Sequence, residues 1–248
     1  MVKTKNYQKR FYRDLSRHKG LVYFTVIFKE TDLLIAATRT LVKEASEAVL
    51  KYRNQLEEYI QKSPVFKDSL VPLPCDPFAP QVVREMLRAA EKAGVGPMAS
   101  VAGAIAECVG RDLLEYTTEV IVENGGDLFL NVLHDVVVGI FAGDSPLSGK
   151  LALKVRSKDT PLGVSTSSGT VGYSLSFGSS DAVTIFSESA ALADAAATSV
   201  GNLIQGKEDI GKGLKHAQEI EGVRGALIIK GNKLGIWGDV ELMKGDGL

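Results

Sequence analysis

The sequence predicts an α+β protein in which a ββααββ pattern is used twice, with antiparallel sheets covered by helices on one face. Two observations carry this. Strand-like and helix-like runs follow the same order in both halves of the chain. The closing segments of the halves, DLFLNVLHDVVVGIF and GALIIKGNKLGIW, also share an alternation of apolar residues. On this reading residues 1–248 form a single domain of two repeats, at about 20–143 and 150–243.

The first half opens with two strands, residues 21–29 and 32–38, rich in β-branched and aromatic side chains. A helix over 40–62 follows, with Leu41, Ala45, Ala48, Val49, Tyr52 and Leu56 at helical spacing. The Pro-rich stretch SLVPLPCDPFAP ends it. The next helix, 80–93, starts on a proline, which the first helical position tolerates. An apolar helix spans about 98–117, and Asn124-Gly125-Gly126 supplies a turn. Strands at 127–132 and 136–141 close the half.

Strands near 150–157 and 164–168 open the second half. From Asp181 the chain reads as a further strand feeding an alanine-rich helix, 187–204. A polar helix near 210–221 follows, then a hairpin of 225–230 and 234–242 around Gly231-Asn232-Lys233.

The bulk composition narrows the function classes. With 45% hydrophobic and 24% charged residues the chain is ordinary globular material. A formal net charge of −1 gives no global field to recruit nucleic acid or an anionic membrane. The N-terminus is locally basic, with Lys3, Lys5, Lys9, Arg10, Arg13, Arg17, His18 and Lys19 against Asp14. It reads either as a solvated arm or as an anion-facing lip. Cys75 and Cys108 form no metal or disulfide pattern. No apolar run reaches the roughly 18–20 residues of a membrane-crossing helix, so a cytoplasmic protein is the expectation. Exposed edges of antiparallel sheets are compatible with a homodimer.

The alanine helix carries one acid, Asp194, and a hydroxyl one turn later, Thr198. Residues four apart share a helix face, so both oxygens project from a surface of small apolar side chains. An oxygen pair in a closely packed place suits a hard cation such as Mg²⁺. A local cap or a half-exposed polar residue is the alternative, and the residues alone leave both open. Glu107, inside the apolar segment GAIAECVG, is a second candidate by the same burial argument; a solvent-facing side is its alternative. The stretch STSSGT, residues 165–170, either donates hydrogen bonds to an oxyanion or a flavin, or is a polar strand end.

Other motifs fail on context. Gly94-Val95-Gly96-Pro97-Met98-Ala99 fits a dinucleotide fingerprint but follows a helix rather than a strand. The segment from Gly206 to Gly213 lacks the hydroxyl residue that a phosphate-binding loop needs after its lysine. His18, His134 and His216 are scattered, and no GxSxG elbow occurs.

Four segments, in order, resemble the ApbE-like flavin transferases. Residues 193–198, ADAAAT, are similar to that family's ADAxxT signature. GAIAECVGRDL (103–113) resembles its GxIAKGxxxD helix, VENGGDLFL (122–130) its NxGGD turn and strand, and STSSG (165–169) its TSG element. The resemblance implies a tandem ββααββ fold of the T-fold type. It also implies Mg²⁺-dependent binding of FAD and transfer of FMN to a Ser or Thr of an acceptor protein. Asp194 and Thr198 would be Mg²⁺ ligands together with the Ala104 carbonyl. For the transfer itself the candidate catalytic residues are Asp194 and, on its own chemistry rather than on the resemblance, Glu107, which would position or deprotonate the attacking hydroxyl. Asn124, Gly125, Gly126 and Asp127 would shape the flavin-nucleotide pocket, with Thr166, Ser167 and Gly169 lining it. Two departures stand out: Glu107 replaces the family's lysine, and VGYSLSFG (171–178) replaces its DPxTG segment. They favour the alternative of a non-transferase ApbE-like accessory protein in sulfur assimilation or cofactor handling.

Overall fold

A computed structural model describes residues 18, 20–170 and 176–245. The basic N-terminal residues other than His18, and 171–175 of the VGYSLSFG segment, lie outside the described residues.

The chain opens with strands β1 (Val22–Phe28) and β2 (Thr31–Ala37), and helices α1 (Val42–Lys62), α2 (Val65–Asp68), α3 (Gln81–Ala93) and α4 (Val101–Leu113) follow. Then come β3 (Val120–Asn124), β4 (Asp127–Asn131), β5 (Val136–Gly139), β6 (Leu151–Val155), β7 (Leu162–Ser167) and β8 (Ala182–Ser187). Helices α5 (Ala190–Asn202) and α6 (Ile210–Glu219) and strands β9 (Val223–Lys230), β10 (Lys233–Gly238) and β11 (Glu241–Lys244) complete it.

Eight strands form one sheet in the order β1-β2-β3-β4-β7-β8-β9-β10, every neighbouring pair antiparallel. A second sheet, β11-β6-β5, lies apart from it. One core cluster joins the helices to one face of the large sheet, through residues such as Leu33, Val122, Phe129 and Ile185 with Val83, Val109 and Ala196. A second cluster joins the opposite face to the small sheet, through Leu130, Val164 and Phe186 with Val136, Leu153 and Val155. The protein is thus mixed α/β in three layers, and the antiparallel sheet is helix-covered on one face as its sequence implies.

Two pairings differ from the sequence expectation. The strands expected at 127–132 and 136–141 do not close a hairpin together: β4 lies between β3 and β7, while β5 pairs with β6 in the small sheet. Strand β3 was not anticipated at all. Its five residues are all buried, between helices on one side and the small sheet's core on the other, so the alternation that marks a one-sided strand is absent. The apolar helix expected at 98–117 also resolves into a 3₁₀ turn, Pro97–Ser100, and the shorter α4.

Helices α4 and α5 cross at very short range. A Cβ on Gly103 would lie 2.2 Å from the Ala190 carbonyl oxygen, and one on Gly163 of β7 would lie 2.4 Å from the Ala190 Cα. Only glycine permits this approach of backbone to backbone. Gly163→Ala is therefore expected to cost about 1–3 kcal/mol through overpacking, read as a lower urea midpoint with an unchanged slope.

Candidate functional site

The β3–β4 turn sets the first corner of the site. Gly125 and Gly126 have φ of 73° and 113°, the paired left-handed geometry of a tight hairpin that glycines adopt without strain. The turn places Asn124 directly opposite Asp127, and Asp127 opposite Ser165 of β7. These three side chains share the helix-facing side of the sheet, in the same row as core residues Leu33 and Ile185. The turn is further tied down: Gly126 N–H donates to the Glu123 carboxylate at 3.0 Å, and the Gly126 carbonyl accepts from Thr166 N–H at 3.3 Å.

The α4 N-terminus supplies the second corner. Asn124 Nδ2 donates to the Ala102 carbonyl at 3.1 Å, fastening the first turn of α4 to the hairpin. The Gly103 N–H in that turn donates to Asp194 Oδ2 at 2.9 Å. So the Asn124 amide and the Asp194 carboxylate grip adjacent residues of one helix start. A helix N-terminus favours negative charge, which accounts for the orientation of Asp194.

Helix α5 supplies the third corner and lies along β7. Ala190 sits against Gly163, and an added Cβ at Gly201 would lie 3.6 Å from Ser167 Oγ. Gly163, Ser165 and Ser167 alternate onto the same face, so Ser165 lies under the middle of α5, where Asp194 and Thr198 share a face one turn apart. Ser165 is fully buried, and its hydroxyl has no hydrogen-bond partner. Thr198 is half-buried, and Ala104 is buried in α4 one residue beyond Gly103.

Asp194 is the electrostatic centre of this arrangement. The residue keeps some exposure, but its carboxyl end is enclosed, and among the described residues it forms no ion pair. Burial pushes its pKa from 3.8 up to about 7, partly offset by hydrogen bonds from the Gly103 and Ala102 N–H groups. An enclosed carboxylate without a counter-charge among the described residues, on a helix that overlies the strand of an orphaned buried hydroxyl, is a donor set that fits a hard cation. No group of three or more His, Cys, Asp or Glu side chains gathers among the described residues. A cation here would therefore take its remaining oxygens from water or a ligand.

The other expected site residues fall into two groups. Thr166 sits at the end of β7, its hydroxyl 2.9 Å from that of Thr184, and Ser167 faces the last turn of α5. Gly169 lies in the loop beyond β7, where its N–H donates to the Ser180 carbonyl at 2.9 Å and its neighbour is Gly178 rather than Asp194. Glu107 is buried at the start of α5: Oε2 accepts from Ala190 N–H at 2.7 Å, Ser189 Oγ at 3.0 Å and Ala191 N–H at 3.4 Å. Its Oε1 accepts from Arg111 Nη2 at 2.7 Å and Nε at 3.0 Å. Both oxygens are engaged in capping α5 and in the ion pair.

A family model described as "AbpE bacteria" matches residues 13–235. The chain belongs to this ApbE-like family. A UPF0280 protein of Methanocaldococcus jannaschii is 42% identical over 228 residues, covering 89% of this chain and 93% of the relative. A UPF0280 protein of Methanosarcina acetivorans is 43% identical over 215 residues, covering 86% and 85%. Among solved structures, the apo form of the Pseudomonas stutzeri flavinyl transferase ApbE superimposes with a TM-score of 0.56 at 16% identity, over 90% of this chain and 94% of that one. The Thermotoga maritima ApbE protein gives 0.55 at 13% identity, over 87% and 96%. At these identities the likeness is one of fold.

In this ApbE-like chain the sequence indicated Asp194 but not what holds it. Ala102 and Gly103 act through backbone N–H groups, and their only signal is a run of small residues opening a helix. No single helix among the described residues is long and apolar enough to cross a membrane.

The raised pKa of Asp194 has a stability consequence. Because the folded state binds this proton more tightly than the unfolded chain, the contribution is fully present below about pH 4 and is lost as pH rises through about 7. Asp194→Asn, which stays neutral, is expected to be more stable than the ligand-free parent above pH 7. The difference should be about 4 kcal/mol and shrink towards pH 4, as read by urea denaturation.

Proposed function

We propose that this ApbE-like protein binds a flavin nucleotide, FAD, together with Mg²⁺, and transfers FMN to a Ser or Thr hydroxyl of a partner protein. The observation that carries the reading is the convergence of three of the four ApbE-like segments on one helix start. Asp194 of ADAAAT accepts from Gly103, and Asn124 of the NGGD turn donates to Ala102. Ser165 of STSSG, opposite Asp127 on the strand that α5 overlies, is buried and unpartnered.

Asp194, Thr198 and the Ala104 carbonyl would hold the Mg²⁺, which when bound neutralises charge on pyrophosphate oxygens. The protein's own part is positional. Ala102 and Gly103 N–H groups fix the Asp194 carboxyl, and Asn124 holds that helix start at a fixed height over the sheet. Ser167 presents its hydroxyl at the open end of β7 on the helix-facing side, while Thr166, expected to line the pocket, alternates to the other face and bonds Thr184; Asp127 shapes the floor. In the transfer the acceptor hydroxyl oxygen forms a bond to the FMN phosphorus, the pyrophosphate P–O bond breaks, AMP leaves and the hydroxyl proton passes to water. Glu107, with both oxygens in use, acts as a positioning residue: it anchors α5, and hence Asp194, against α4. The domain limits of the two repeats are also our reading. Within the expected repeats at about 20–143 and 150–243, units β1–β4 and β7–β10 carry the repeated pattern, each with its helices after the second strand, and β5 and β6 are additions at the junction.

Incubation with FAD, Mg²⁺ and a candidate flavoprotein tests the transfer. Acid-stable flavin fluorescence on the partner is the expected result. Mg²⁺-dependent FAD binding without such labelling would instead favour the second reading, an ApbE-like accessory protein that binds the nucleotide and does not transfer it. One observation favours that reading: Glu107 stands where the resemblance expects a lysine, so α4 presents no cation at this position to a pyrophosphate.

A further inference from the structure

A second concave site lies away from Asp194, on the side of the large sheet that carries β5, β6 and β11. The chain leaves the large sheet at Gly238, where φ is +80°, and enters the small sheet at Glu241. This sharp link is held by a hydrogen bond of 3.0 Å from Asp239 N–H to the Arg224 carbonyl. Between the link and β6 it encloses a cleft of about 290 Å³. The floor is apolar, made by Leu162 and Phe186, both buried.

The wall of the cleft holds two guanidinium groups with spare donors. Arg156 Nε donates to Asp159 Oδ2 at 2.7 Å, and Arg224 Nη1 donates to the Asp159 carbonyl at 3.1 Å. Arg224 Nη2 lies 3.4 Å from Asp159 Oδ1. One carboxylate therefore faces two cations. The Arg156 Nη1 and Nη2 groups make no hydrogen bond among the described residues. Arg224 Nη2 lies 4.0 Å from Asp239 Oδ2, too far for a hydrogen bond, and that acid's side chain is 64% exposed. Glu241, also on the rim, is turned to Lys154 at 3.6 Å. The lining carries three basic side chains, Lys154, Arg156 and Arg224, and three acids, Asp159, Asp239 and Glu241, so the cleft's affinity for an anion rests on the unused N–H donors of the guanidinium groups above an apolar floor.

We propose that this cleft is a binding site for a small oxyanion with an apolar body, a carboxylate or a phosphate monoester. Arg156 and Arg224 grip the anionic group, a task for which the guanidinium fork is suited. Leu162 and Phe186 receive the rest of the ligand. The site is independent of the flavin reading, because its floor residues Leu162 and Phe186 face the small sheet, on the side of the large sheet away from α4 and α5.

Titration of the full chain at low ionic strength with inorganic phosphate, phenyl phosphate, acetate and benzoate tests it. Saturable binding is expected, with each aromatic probe tighter than its small counterpart. Arg156→Gln should weaken binding at least tenfold. The rim variant Asp239→Asn, whose exposure makes misfolding no concern, should tighten it about threefold by removing a competing acid. Asp194→Ala should leave it unchanged. Binding by the phosphates alone or by the carboxylates alone would keep the site and name the ligand's class. No saturable binding by any probe, or equal affinity in the parent, Arg156→Gln and Asp239→Asn, would overturn the assignment.

Discussion

FAD titrated with Mg²⁺ into the Asp194→Ala variant is expected to bind at least about 100-fold more weakly than into the parent. The reason is local. Asp194 is the acid enclosed among the alanines of α5, its carboxyl end has no ion-pair partner among the described residues, and the Gly103 N–H aims it across the α4–α5 crossing. Removing it deletes the charged oxygen that α5 offers a cation. The pH dependence carries the same information with its sign defined. With the pKa pushed up to about 7, protonation below that value empties the carboxylate of charge, so Mg²⁺-dependent affinity should fall as the solution is acidified from pH 8 to pH 6. Bound cation lowers that pKa, so the fall should shift to lower pH as Mg²⁺ is raised. Calorimetry on both variants across this range reads all three effects. Equal FAD affinity in Asp194→Ala would remove the assigned role. The variant should remain folded, because alanine fits an alanine-rich helix without strain.

Glu107→Lys is expected to be the most damaging single substitution for stability, with a loss of about 4 kcal/mol or more. The glutamate binds the first N–H groups of α5, Ala190 and Ala191, and pairs with Arg111 one turn away on its own helix. A lysine would leave those donors unsatisfied in a buried place and set a cation beside Arg111 and the positive end of α5. Glu107→Gln keeps an acceptor oxygen and should cost less, about 1–2 kcal/mol. Urea denaturation followed by circular dichroism orders the two. A Glu107→Lys protein as stable as the parent would show that α5 needs no cap from α4. The comparison also bears on function, because lysine is what the family resemblance expects at this position. Its restoration is disfavoured by the very contacts that hold Asp194 in register.

Much of this site was visible in the sequence, and the boundary of what was visible is physical. The spacing of Asp194 and Thr198 on an alanine helix is a local pattern, and so are the glycines of the hairpin turn. Glu107 was noticeable as an acid among apolar residues, but its partner Ser189 lies 82 residues away, and only the crossing of two helices brings them together. The same crossing rests on Gly103, whose role is the absence of a side chain. Strand β3 escaped notice because burial on both faces erases alternation. The cleft of Arg156 and Arg224 was invisible for a different reason. It depends on β5, β6 and β11 forming a separate sheet, and pairing partners are not written in local periodicity.

The most direct measurement replaces Mg²⁺ with Mn²⁺ and records its paramagnetic resonance with the protein and FAD. Phosphorus hyperfine coupling from the nucleotide, present with the parent protein and lost with Asp194→Asn, is the expected result. An unchanged aqueous Mn²⁺ signal when parent protein and FAD are both present would contradict a cation held by Asp194 at the meeting of α4, α5 and the β3–β4 turn.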